Sequence, residues 1–258
     1  MKKKVPLPQI VETLDRELRI GDFRDDVSHN GLQVEGAPSG VSKVCFGVDA
    51  SPEFIREALR RGAQLLIVHH GISWGDSLAR IAGPNYRLVA PLVKADAALY
   101  AAHLPLDAHP VLGNNAGLAR AIGLTKLKPF CEYHGHSIGV QGRFPKALAW
   151  SDVQDRIRAA CPDGRFVHFD GGPRTVRTVG IVSGGAAGDF VQAKAAGLDA
   201  FVTGEFGLQD YTAAQTNPFN VAAAGHYATE RFGVRALAGF LTERFGLDCE
   251  FIDFHLPY

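Results

Sequence analysis

The tightest constraint on the fold is a strand–helix–strand pattern that the sequence writes twice. Residues 43–49, KVCFGVD, read as a short buried strand. Ser51 and Pro52 then open a helix. The serine hydroxyl is placed to cap backbone N–H groups, and the proline sits where no N–H is needed. The helix runs to about Arg61 and stops at Gly62, and residues 65–68, LLIV, form a second apolar strand ending at His69-His70-Gly71. Two apolar strands joined by one helix are expected to be parallel and covered on both faces. The pattern returns as a strand from Val179, a helix over Asp189–Ala196 stopped by Gly197, and the strand AFVT at 200–203. An offset of 135 positions overlays the two without a gap, placing Val44 on Val179, Ala58 on Ala193, Gly62 on Gly197 and His70 on Glu205.

A second echo, at an offset of 123, places His103 on His226 and Asp107 on Glu230. Two β-α-β units can resemble each other by chance. The paired His-x-x-x-acid echo favours duplication of one α/β unit. The expectation is an α/β fold of two similar lobes, 1–129 and 130–258, related by a pseudo-two-fold axis. A dinuclear metal site is expected between them, at the carboxyl ends of the strands. Around this frame the spacing predicts helices over 8–20, 86–95 and part of 112–122, and a strand over 97–101. It further predicts a strand at 138–144, a helix from Trp150 to Cys161 capped by Ser151, and a helix within 231–245. The stretch 130–178 is otherwise poorly patterned.

Composition narrows the function classes. Lys+Arg and Asp+Glu both number 27, so no global field draws in nucleic acid, and Lys2–Lys4 read as a solvated end. No apolar run reaches the roughly 18 residues of a membrane span, and the start lacks the apolar segment of a signal peptide. Cys45, Cys131, Cys161 and Cys249 are scattered with no CxxC pair, which points to free thiols in a reducing cytoplasm.

Chemistry concentrates at His69-His70, Asp107, His226 and Glu230. Adjacent side chains on a strand point to opposite faces, but a backbone turn at Gly71 lets both rings reach one cavity. The pair can also be two hydrogen-bonded histidines at a strand end. His226 and Glu230, four apart at a helix start, can share a metal or pair with each other. Asp107 falls in a loop after a strand, where an acid has no packing role. Three imidazoles and two carboxylates without a thiolate suit two divalent ions such as Zn, Mn, Fe or Ni. Two such ions would hold a bridging hydroxide near neutral pH. His103 and Glu205 are candidate proton-transfer groups or partners of the ligands, or structural residues. Asn30 and Gln33 can line the pocket, though Asn-Gly is also a turn signal. The Gly-rich run 183–189, SGGAAGD, is either a phosphate cradle or a tight turn. No GxSxG elbow and no catalytic cysteine with a clear partner is present.

At these residues the chain also resembles a known family. NGLQVEG at 30–36, VDAS at 48–51, IVHHG at 67–71, HLPLDAHPVLGNNAGLA at 103–119, VTGE at 202–205 and GHYATERFGVRAL at 225–237 are similar to the GTP cyclohydrolase I type 2 homologues. These are also called the Ngg-interacting-factor-three-like family, and the likeness is to its short bacterial, YbgI-like branch. The resemblance covers nearly the whole chain and implies two α/β lobes and a dinuclear site. It implies His69, His70, Asp107, His226 and Glu230 as ligands, and a hexameric ring. Gln209 stands where the longer branch of the family has a histidine, so no role is carried over there. The resulting expectation is a metal-dependent hydrolase acting on a small polar or nucleotide-like substrate. The competing expectation is a non-enzymatic metal-binding ring serving as metallochaperone, metal store or regulatory partner. Phe251, Ile252 and Phe254 are expected to pack between subunits.

Overall fold

The computed structural model describes residues 4–254. Lys2 and Lys3 lie outside the described residues, and Lys4 is exposed. The chain forms two compact units. One comprises the described residues up to Leu106 together with Val234–Phe254, and the other is Asp107–Gly233.

The first unit opens with α1 (Leu7–Leu18), whose Ile10, Leu14 and Leu18 are buried at a helical spacing. Then come β1 (Gly31–Val34), β2 (Lys43–Asp49), α2 (Pro52–Arg60), β3 (Leu65–His70), α3 (Pro84–Lys94) and β4 (Ala98–Ala101). The Ser51 hydroxyl caps α2 by accepting from the Phe54 N–H at 3.1 Å. β2, β3 and β4 are parallel neighbours, as two strands feeding right-handed crossovers require. Phe54, Ile55 and Ala58 of α2 and Leu92 of α3 pack against Cys45, Leu66, Val68 and Leu99 of the sheet. Leu65 to Val68 are all fully buried, each side chain contributing about 1.5–3 kcal/mol of apolar burial.

The chain leaves this unit through α4 (Leu104–Ala108) and continues as α5 (Asn114–Ala121), β5 (Thr125–Tyr133), β6 (His136–Ala149), α6 (Trp150–Ala160) and β7 (Val167–Asp170). β8 (Thr175–Ile181), α7 (Phe190–Ala195), β9 (Ala200–Thr203), α8 (Leu208–Thr216), β10 (Asn220–Ala223) and α9 (His226–Thr229) complete the second unit. α10 (Arg231–Phe245) then returns the chain to β11 (Asp248–Phe251). The first sheet has the order β1-β4-β3-β2-β11 and the second β5-β6-β8-β9-β10-β7. β8, β9 and β10 are parallel, and β7 runs antiparallel to β10 at the edge, just as β1 runs antiparallel to β4. Each sheet therefore includes a run of an antiparallel edge strand and three parallel strands in matching order, extended by β11 in the first sheet and by β6 and β5 in the second.

Several expectations are corrected. The division does not fall at 129/130, because β11 pairs in parallel with β2 and so completes the first sheet. The same pairing buries Ile252 in the core of the first unit, with Phe254 packed against it, while Arg235 lies 4.5 Å over the Phe251 ring. These apolar residues are used within the chain. Ser151 does not cap α6, which starts one residue earlier with Ala149 at its N-cap. Asp107 sits in a short helix, not a loop, and is buried. All four cysteines are free, and no helix among the described residues is long and apolar enough to cross a membrane.

Candidate metal centre

In the first unit the parallel register brings the carboxyl ends of the strands level. Asp49 at the end of β2 pairs with His70 at the end of β3, and Val68 pairs with Ala101 of β4, two residues before His103. β3 runs straight through both histidines, yet their ring centroids lie 4.6 Å apart, and His103 stands 5.1 Å from His69 and 5.6 Å from His70. One nitrogen from each of the three rings lies within 4.8 Å of the others. His103, expected as a proton-transfer group, is thus gathered with the histidine pair.

What fixes these rings is the same in each case. His69 Nδ1 faces the Ala102 carbonyl at 2.8 Å, His70 Nδ1 faces Asp49 Oδ1 at 2.8 Å, and His103 Nδ1 faces Asp26 Oδ1 at 2.9 Å. An acceptor at Nδ1 holds the neutral ring with its proton there and leaves the Nε2 lone pair to act as a ligand. Burial pushes the Asp26 carboxyl upward, but hydrogen bonds from His103, Asn30 and the Ser28 N–H outweigh it and hold the group below its ordinary value. Asn30 also accepts from the His103 N–H at 2.7 Å. The Gln33 amide carbonyl accepts from Ile72 and Ser73 N–H, fixing the turn after His70. Both side chains therefore hold the site in place. Trp74 covers the cluster, its ring 5.0 Å from His103 and 5.8 Å from His70, with Nε1 donating to the Gly71 carbonyl at 2.8 Å.

In the second unit Asp107 accepts at Oδ1 from Asn114 Nδ2 at 2.8 Å and from the Ser183 hydroxyl at 3.0 Å. The neighbouring Asn115 ties Ser183 N–H and the Ile138 carbonyl together, so the acid has a built seat. His226 opens α9 after Gly225, which has φ 91°. Its Nδ1 meets Glu205 Oε1 at 2.6 Å and its Nε2 meets Glu230 Oε1 at 3.1 Å. Burial lowers the His226 pKa, but the two carboxylates outweigh it and lift the ring to about 9. Glu205 does for His226 what Asp49 does for His70. The Gly-rich run resolves as a tight turn rather than a phosphate cradle, since the helix it precedes, α7, is only six residues long. Gly184 in that turn has φ 68°, and a Cβ there would stand 2.3 Å from Glu230 Oε1. Thr229 Oγ1 accepts from its N–H at 3.1 Å, and Thr203 Oγ1 donates to its carbonyl at 3.1 Å. The lack of a side chain at Gly184 lets the buried Glu230 carboxylate pack directly against the turn.

Imidazole nitrogens held by carboxylates or a carbonyl, together with buried carboxylate oxygens, are the donor set that a borderline divalent ion takes. The residues present fit such an ion.

A model of the family Duf34/NIF3 (NGG1p interacting factor 3) matches residues 5–257. The chain belongs to this family. Among other Duf34/NIF3-like proteins, a GTP cyclohydrolase 1 type 2 homolog of Deinococcus radiodurans is 44% identical over 222 residues, covering 86% of this chain and 83% of that one. The solved structure of the protein ybgI superposes with a TM-score of 0.90 at 35% identity, over 98% of this chain and all (100%) of the other. TTHA1606 from Thermus thermophilus superposes with a TM-score of 0.88 at 40% identity, over the same 98% and 100%. The resemblance read from the motifs is therefore borne out.

Sequence reasoning missed four residues of this Duf34/NIF3 site: Asp26, Asp49, Ser183 and Trp74. Asp49 carried a usable signal, an acid ending a buried strand beside one ending in histidine. Asp26, 77 positions from His103, carried none.

Proposed function

We propose that the chain is a metal-dependent hydrolase in which the two ligand sets serve one dinuclear centre. The observation that carries this is the uniform treatment of the imidazoles. His69, His70, His103 and His226 each have Nδ1 held by an acceptor of the protein, the arrangement found around metal-ligating histidines. His69, His70 and His226 would supply nitrogen ligands, and Asp107 and Glu230 carboxylate oxygens. The first set offers imidazoles without a carboxylate ligand, and the second supplies both carboxylates beside the single imidazole of His226. Two divalent ions held there would supply Lewis-acid polarisation and water activation near neutral pH.

The chain's own residues then divide the work. Asp49, Asp26, Glu205 and the Ala102 carbonyl orient the rings. Trp74 screens its side of the histidine cluster from water. His103 and Glu205 are the groups placed to move protons. The name carried by the relatives makes purine nucleotides the first substrate class to try, followed by phosphoesters and cyclic amides. The matched strand order β1-β4-β3-β2 and β7-β10-β9-β8 supports duplication of one α/β unit. We further propose a cytoplasmic homohexamer, on the free thiols and the family resemblance.

The test is elemental analysis of protein purified without chelator, followed on the same preparations by a substrate screen with added Zn, Mn, Fe or Ni. Turnover is expected to rise with pH through about 7 and metal to be lost in acid, because the ligand imidazoles must be neutral. His70→Ala and Glu230→Ala should each lower occupancy of both ions, whereas two separate sites would lose one ion each. Fully metallated protein inert across the screen would favour a metal store or chaperone instead.

A further inference from the structure

We propose that a depression on the outer face of β5, β6 and β8 is an anion site for a short phosphate chain, independent of the metal centre. The ladder places the residues. Thr125 pairs with Arg143 and Lys128 with Gln141, so two residues of β5, Lys126 and Leu127, face Gly142 alone and form a bulge. Leu127 turns in to the core, where it packs on the buried cluster. Lys126 takes up the extra residue at φ 55°, a left-handed conformation that costs a lysine backbone energy. The result is a hollow of about 380 Å³ lined by Lys126, Lys128, Gln141, Arg143, Thr178 and Leu198.

The charge there is segregated. Several cations elsewhere in the chain are matched to acids, as in Arg56–Glu53, Arg61–Glu57, Lys43–Glu250, Arg158–Asp155 and Arg235–Asp253, whereas the three here converge on one hollow with no acid in its lining. Among the described residues, the side chains of Lys126, Lys128, Arg143 and Gln141 have no hydrogen-bond or ion-pair partner. Asp199, beside β8, is engaged at Oδ2 by the Arg177 and Thr178 N–H groups and the Thr178 hydroxyl. A neutral chain that leaves three cations and a carboxamide unmatched around one hollow has donors for a compact polyanion. Their convergence on one hollow, rather than along a track, fits a di- or triphosphate better than a nucleic-acid strand.

The test titrates the purified protein with inorganic tripolyphosphate, ATP, adenosine and a short single-stranded oligonucleotide, by calorimetry and ³¹P NMR at two salt concentrations. Tripolyphosphate and ATP should bind, adenosine should not, and binding should weaken with salt. Equal affinity for the two assigns the site to the phosphate chain alone, and tighter ATP assigns it to a nucleotide. Lys128→Gln/Arg143→Gln should lose at least about tenfold in affinity, ~1.4 kcal/mol, with metal content unchanged. Lys126→Gly, which relaxes the backbone, should be no less stable yet bind more weakly. Arg56→Gln/Arg60→Gln serves as the control pair and should bind as the parent does. No binding of tripolyphosphate, binding that the double variant retains, or binding of the oligonucleotide alone overturns the proposal. A double variant that changes oligomer size in a protein that binds none of the probes would make the face a subunit contact instead.

Discussion

Asp49 acts on the site at one remove, since its carboxylate holds His70 Nδ1 at 2.8 Å. Removing such a partner lets the ring rotate and lowers its basicity. Asp49→Asn is therefore expected to weaken metal binding about 10–100-fold, read by competition with a coloured chelator, and with little loss of fold. Gly184→Ala tests the close seat of Glu230 against the turn. It places a β-carbon where φ is 68° and 2.3 Å from Glu230 Oε1. A stability loss of about 1–2 kcal/mol is expected, together with lower metal occupancy, read by thermal unfolding and elemental analysis on one sample. At this scale the histidines and acids were legible because their residue types are rare at the ends of apolar strands. The groups that hold them were not, because a hydrogen bond spanning 77 positions leaves no local pattern.

Among the elements, α6 and β7 are joined through one carboxylate. Asp170 Oδ1 receives the Trp150 indole N–H at 2.6 Å, the Gln154 amide at 2.9 Å and His168 Nδ1 at 2.9 Å. Burial raises the Asp170 pKa, but these donors outweigh it and hold the group below its usual value. A carboxyl depressed on folding contributes stability above its unfolded pKa, and that contribution is lost as pH falls through the folded value. The urea midpoint should therefore fall as pH drops from the ordinary carboxylate range through the lower folded value, and Asp170→Asn should flatten part of that slope. The β-α-β units were readable since their strands are short apolar runs with clear helix signals between them. β5 was not, because left-handed residues at Lys126 and Cys131 break its alternation. β1 and β7 were missed for another reason: they are four-residue edge strands without a fully buried run.

For the whole molecule, the expected assembly is a homohexamer, and multi-angle light scattering at micromolar concentration checks it. A monomer there would remove the ring. The support once drawn from the apolar C-terminal residues is gone, because Ile252 lies in the core of the first unit. Exposed Val111, Val191 and Leu208 are the candidates to mutate in a search for the subunit contact. Two units could be foreseen from the echoed pattern. The return of the chain to the first sheet could not, since strand order between distant segments is not written in any local spacing.

That return has a consequence for synthesis. β11 is translated after every other described strand, yet it is the parallel neighbour of β2, whose residues emerge from the ribosome some 200 positions earlier. At roughly 5–20 residues per second, β2 waits for about ten seconds or more with one edge bare. The segment Asp107–Gly233 is meanwhile complete and able to close on itself. The unit whose sequence comes first is thus the last to finish folding, and its open strand edge is the surface a nascent-chain chaperone has most reason to cover.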